Sequence, residues 1–257
     1  MDPYLYALIS TFVPEHFEVL TELAGGLLIK EIRDGNTYGN GVLHSFNDEP
    51  AEILFGTQKW YKHGLLHRDN DLPAIICYDG SQHWYQHGVY HRDNDLPAVI
   101  DDSGSQIWYR NGKCHRDNDQ PAEIIYKFCK AWRQNGKLHR DNDLPTIIYT
   151  NGSQEWYQNG IKHRDNDLPA EIEADGTQVW YQNGRYHRDN DLPAVIFPDG
   201  YKAYYKYGEL HRDNDLPAVI RADGIKQWYQ NGVEFHPNND PTYGIRIWYK
   251  NVKPYIN

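Results

Sequence analysis

Apolar and polar positions along the chain follow one short pattern that returns at a fixed interval. A Leu-Pro-Ala triplet leads into an Ile-containing pair, a polar turn follows, and a Trp-Tyr pair comes next. The string His-Arg-Asp-Asn-Asp then closes the cycle. It occurs seven times, from His67, His91, His115, His139, His163, His187 and His211, each step 24 residues without insertion. A degenerate copy precedes these at His44 (HSFNDEPA) and another follows at Phe235 (FHPNNDP). A fixed period of this size marks a repeat architecture, in which each unit contacts mainly its neighbours.

The turn signals inside one period give its elements. Asp-Gly or Asn-Gly stands at 79–80, 151–152, 175–176, 199–200 and 223–224, and Asn-Gly follows Trp-Tyr at 111–112, 159–160, 183–184 and 231–232. These dipeptides supply the positive φ that tight hairpin turns require. The β-branched and aromatic segments between them predict strands. Each unit therefore reads as one antiparallel strand pair, with the segment from Asn-Gly to Leu-Pro as a longer connection.

Comparison of the copies suggests which columns face water. The position after Leu-Pro-Ala (or Thr) holds Ile75, Val99, Glu123, Ile147, Glu171, Val195 and Val219, and the next is Ile in every copy, Ile100, Ile148 and Ile196 among them. Strand side chains alternate between faces. The Ile column is thus expected to be buried and the Val/Glu column exposed. The Trp column (Trp84, Trp108, Trp156, Trp180, Trp228) is assigned to the Ile face, and the Tyr column beside it to the opposite one.

The fold class expected is an all-β tandem repeat, an elongated, twisted, single-layer antiparallel sheet of β-hairpins that advances roughly 10 Å per unit. Residues 34–257 hold about eight to nine units. Residues 1–33 read differently. Leu5, Leu8, Ile9 and Phe12 share one helical face and Phe17, Leu20, Leu23 and Ala24 another, with Pro14 and Gly25-Gly26 as start and stop signals. They predict a helical N-terminal cap over the first strand edge.

Composition narrows the function classes. Hydrophobic residues are 39% of the 257, too few for one round core, yet aromatics reach 14%, too many for a disordered chain. A net charge of −10 disfavours nucleic acid, whose binding needs clustered Lys and Arg. No run of 18 apolar residues and no basic, cleavable leader is visible, and the three cysteines have no metal spacing. A cytoplasmic setting is the expectation.

The repeated motif invites chemical readings. His-Arg-Asp opens a kinase catalytic loop, but such a loop occurs once, with a Gly-rich loop and Asp-Phe-Gly elsewhere. Asp-Asn-Asp offers too few oxygens for calcium and suits a tight turn. Imidazoles about 10 Å apart cannot converge on one zinc. A catalytic site is one of a kind, whereas each candidate here comes in seven copies. No catalytic, cofactor or metal residue is assigned. The Arg and Asp rows (Arg92, Asp93, Arg116, Asp117, Arg164, Asp165, Arg188, Asp189) are expected to form a solvated ladder first and a docking rim second.

The segment Trp-Tyr-Gln-Asn-Gly-x-x-His-Arg, followed by Leu-Pro-Ala-x-Ile and Asp-Gly, resembles the MORN repeat superfamily over residues 38 to 250. It is most similar to the variant repeats of large DNA viruses and some bacteria. The resemblance implies a ribbon of β-hairpins serving as a non-catalytic scaffold that self-associates and docks other proteins, in the virion or host cytoplasm if viral. Some such proteins are reported to touch lipids, a contact ranked here behind protein partners. The longer Arg-Asp-Asn-Asp-Leu-Pro link departs from the usual Gly-x-Gly. The spacing from Leu5 to Leu23, with Val13-Pro14-Glu15 in the middle, is also faintly similar to an F-box. A rival class is a carbohydrate- or choline-binding repeat module, in which Trp and Tyr rows would cage a cation.

Overall fold

The structure, a computed structural model, describes residues 17–21 and 27–237. The described chain is all-β, with no helix. It divides into two compact units, Met1–Arg116 with Ala122–Tyr126, and Asp117–Pro121 with Lys127–Asn257. Both are built from the same repeat.

One copy shows the plan. Strand Ile75–Ile76 pairs with Gln82–His83, which pairs in turn with Val99–Ile100 of the next copy. Strand order in this ladder follows chain order, from Glu52–Leu54 to Glu123–Ile125 in the first unit and from Cys129–Ala131 to Lys226–Gln230 in the second. After Trp84 the chain forms a second, smaller hairpin, Tyr85–Gln86 against Val89–Tyr90. A typical repeat thus holds four short strands rather than the single pair expected, and part of the presumed connection is itself a strand. The stretch from Asn-Gly to His-Arg has too few apolar residues to announce a two-residue strand.

The two hairpins use different turns. In the smaller one both central residues are left-handed, as at Asn183 (φ 51°) and Gly184 (φ 78°), the geometry that Asn-Gly favours. In the larger one, as at residues 77–81, only the glycine is. The Gly80 N–H donates to the Cys77 carbonyl, while the Asp79 carboxylate accepts the Ser81 N–H.

Register settles the faces. Gln82 lies opposite Ile76 and Ile100, and Trp84 has the same parity as Gln82, so the Trp and Ile columns share a face, as expected. The expected contrast in burial does not hold. Ile100, Ile148 and Ile196 are half-buried, whereas Val195 and Val219 of the Val/Glu column are buried in a core with Val179 and Ala203, packed on by Tyr181, Tyr186 and Tyr205. Glu52 and Glu171 enter this column through ion pairing rather than exposure. The Lys162 ammonium contacts both Glu155 and Glu171, and Lys59 contacts Glu52 in the same way. A buried column can hold a carboxylate when its cation is built in beside it.

The N-terminal reading changes where it is described. Phe17–Thr21 and Leu27–Arg33 are strands, paired antiparallel and continued by Asn36–Gly39 and Val42–Leu43. The second cap helix, and with it the helical part of the F-box similarity, is replaced there by sheet. β-Branched residues and the Asp34-Gly35 turn outweigh the helical spacing of a few leucines. The first helix, carrying Leu5, Leu8, Ile9 and Phe12, lies outside the described residues.

Candidate functional site

The loop 67–73 and its equivalents hold the residue types from which a site would be built. Its backbone is a turn. Asn70 and Asp71 are both left-handed, at φ 60° and 55°, and the Leu72 N–H donates to the Asp69 carbonyl at 3.3 Å. Asn and Asp tolerate this region better than other side chains. The turn directs the two aspartates of the motif to different tasks.

The second aspartate binds the following repeat. The Asp71 carbonyl accepts the Trp84 indole N–H at 3.0 Å, and its carboxylate takes a two-point contact from Arg92, Nε at 3.0 Å and Nη2 at 2.8 Å. Arg92 lies 3.8 Å above the Trp84 ring and donates its remaining terminal nitrogen to the Pro97 carbonyl at 3.2 Å. The same arrangement joins Arg68 to Asp48, Arg116 to Asp95, Arg140 to Asp119, Arg164 to Asp143, Arg188 to Asp167 and Arg212 to Asp191. Arg212 lies on Tyr204, which stands in the Trp column. Hydrogen bonds from the guanidinium hold Asp48, Asp119 and Asp167 below the ordinary carboxylate range. The planar fork of arginine permits carboxylate pairing and ring stacking at once.

Histidine supplies a second tie. The His67 Nδ1 accepts the backbone N–H of His87 in the next small hairpin, so the ring proton sits on Nε2 and is donated to Asp69. His91, His139, His163, His187 and His211 repeat both bonds. Bonds from histidine, or from a glutamine or lysine of the small hairpin, hold Asp69, Asp93, Asp141, Asp165 and Asp213 below the ordinary range. Here too the degenerate first copy takes part: His44 accepts from the His63 N–H, and Asp48 receives Arg68 and the Trp60 indole.

The rim residues named from sequence therefore divide. Arg92, Arg116, Arg164 and Arg188 have side chains only 14–15% exposed and are spent on a neighbouring loop. Each pairs with the aspartate 21 residues earlier instead of the aspartate beside it. Asp93, Asp117, Asp165 and Asp189 point outward. Trp84, Trp108, Trp156 and Trp180 are buried beneath the arginines, and Trp228 is half-buried, with His236 where the other copies have Arg. The pairing of each arginine with the preceding copy's last aspartate was readable in principle from HSFNDEPA, which lacks the arginine but keeps that Asp, 20 residues before Arg68.

Between consecutive loops lie open grooves of about 200 and 250 Å³, lined by one copy's His-Arg-Asp-Asn-Asp and the next copy's aromatic pair and His-Arg-Asp. Six of the seven loops also set one leucine at the rim, with Leu72, Leu96, Leu144, Leu168, Leu192 and Leu216 exposed, and the loop from His115 has Gln120 there. Among the described residues no group of three or more His, Cys, Asp or Glu is arranged to hold a metal ion. Nor does any buried side-chain nitrogen or oxygen there lack a hydrogen-bond partner.

Compared with known proteins, the chain matches no family model and no curated protein significantly. The described residues contain no helix long and apolar enough to cross a membrane.

Proposed function

We propose that the chain is a non-catalytic scaffold of MORN-like hairpin repeats that docks protein partners, a second copy included, along the outward side of its loop row. One observation carries this reading. Every motif arginine and six of the motif histidines are bonded to loop aspartates, and the outward side of the row carries exposed aspartates and leucines at the repeat period. Periodic carboxylates and apolar contacts suit an extended protein surface better than a small molecule, which needs convergence.

The choline-type alternative is disfavoured by the same geometry. Cation–π capture requires an open aromatic face. In the buried Trp column that face is occupied, at 3.8–3.9 Å, by the protein's own arginine.

The test is stoichiometric recovery of a partner by the full chain from its native cell, beside a variant carrying Asp93→Lys, Asp141→Lys and Asp165→Lys. The scaffold reading expects a partner, or a second copy by light scattering, that is lost in the variant while its circular dichroism is unchanged. A chain that stays monomeric and recovers nothing, or that gives saturable heat with choline, would overturn it.

A further inference from the structure

The Phe55-Gly56 turn carries an exposed apolar patch. Ile53 and Leu54 are 57% and 50% exposed, Phe55 89% and Tyr78 80%. A Cβ on Gly56 would lie 3.1 Å from that of Tyr78, so the two neighbouring turns form one surface. The Phe55 turn is one residue shorter than those of later copies, which hold Tyr78-Asp79, Asp102-Ser103, Tyr126-Lys127, Thr150-Asn151, Ala174-Asp175, Pro198-Asp199 and Ala222-Asp223 where the first copy has Phe55 alone. Phe55 is also left-handed, at φ 47°, a conformation that a bulky side chain adopts at a cost. A strained, solvent-facing phenylalanine beside exposed Ile53, Leu54 and Tyr78 marks a surface built to be covered.

The direction of the chain says what covers it. Phe17 pairs with Glu31, and Arg33, two residues further along that strand, pairs with Asn36 at the Asp34-Gly35 turn. Continued back from Phe17, the direction of that strand leads towards that turn. The Thr37 N–H donates to the Ala51 carbonyl, which places the strand leading to Phe55 next in line and its turn at the same end. Three strand spacings, roughly 14 Å, separate the strand of Phe17 from that of Ile53. The five steps from Phe17 back to Phe12 reach roughly 18 Å. Leu5, Leu8, Ile9 and Phe12 supply a matching apolar edge at i, i+3, i+4 and i+7.

We propose that residues 5–12 dock on the patch formed by Ile53, Leu54, Phe55 and Tyr78, closing the first turns of the array with the chain's own N-terminal segment. The occupant is intramolecular, which distinguishes it from a second copy or a foreign protein. The patch stands apart from the loop row, at the opposite end of the hairpins.

The test places p-benzoylphenylalanine at position 55 of the full chain, which keeps an aromatic side chain at an exposed site. Equal amounts of ¹⁵N-labelled and unlabelled protein are mixed, irradiated and mapped by mass spectrometry. Crosslinks to peptides containing residues 5–12, both halves with the same label, are expected. Mixed-label crosslinks would assign the patch to a second copy, and the absence of crosslinks to residues 1–16 would leave it open; either result overturns the proposal. As a second readout, Leu8→Asp with Ile9→Asp should at least double the fluorescence of a hydrophobic dye, and Phe55→Ser should abolish the gain. An unchanged signal in the double variant would also overturn it.

Discussion

At the scale of single residues, the Val/Glu column shows how one place in a sheet accepts opposite side chains. Val219 is 3% exposed and packs with Val179, Val195 and Ala203, while Leu210 leans on the same cluster. Two repeats earlier the equivalent places hold Glu171, Glu155 and Lys162, which pair with one another. Burial opposes the charge on Lys162, but the bond to Glu171 and the field of both glutamates more than offset it and raise its pKa. Burial, helped by the hydrogen bond to Glu155, also pushes the Tyr157 hydroxyl up to about 12. Val219→Glu should therefore lower stability by about 3–5 kcal/mol, because the carboxylate would be buried without a cation. Adding Leu210→Lys should recover most of that loss. Thermal melts of the two variants would check this, and a double variant no more stable than the single one would refute the exchange.

At the scale of elements, the turns decide the register. Gly184 has φ 78°, and a Cβ there would lie 3.4 Å from Ile161 Cγ2 of the preceding small hairpin. Gly184→Ala should cost about 1 kcal/mol, read from denaturant midpoints, whereas Ala at an exposed strand position such as Arg185 should cost far less. The hairpins were legible in the sequence because Asn-Gly and Asp-Gly state their turn geometry directly. So was the Asp-Asn-Asp turn, from the tolerance of Asn and Asp for left-handed backbone. The small hairpin was not, since two-residue strands such as Arg185–Tyr186 have no pattern of their own and exist through pairing with Tyr181–Gln182. The inward Val/Glu column was also hidden. Alternation gives two faces but cannot say which is buried when a glutamate carries its lysine with it. Leu20 misled in the other direction, as its helical spacing does not outweigh the strand pairing that sets it opposite Leu28.

At the scale of the whole molecule, many weak ties act in series. Each outward aspartate bonded to histidine is exposed, so any one contributes little. Their folded-state pKa values lie below the ordinary value, so their stabilisation is complete above the unfolded value of about 3.9 and is lost as pH falls through the lower folded one. The arginine-bound Asp48, Asp119 and Asp167 act in the same direction. Denaturant midpoints should change little on this account from pH 7 to 5 and fall steeply below pH 4. Asp93→Asn, Asp141→Asn and Asp165→Asn together should lower the plateau and flatten that fall. A triple variant with an unchanged acid profile would remove these carboxylates from the account. Because the array is held copy to copy, damage to one tie should stay near its own repeats.

The account rests on the claim that the repeated His-Arg-Asp-Asn-Asp loop is a latch between copies, and indole hydrogen exchange tests this most directly. Trp156 donates its N–H to Asp143 beneath Arg164, and Arg164 binds the Asp143 carboxylate. In Arg164→Gln, followed by nuclear magnetic resonance, the Trp156 indole proton should exchange about ten-fold faster, equivalent to about 1.4 kcal/mol, while that of Trp84 keeps its rate. An unchanged Trp156 rate would mean that the loop holds without its arginine. The arginine row would then be available for another role, and the latch would be contradicted.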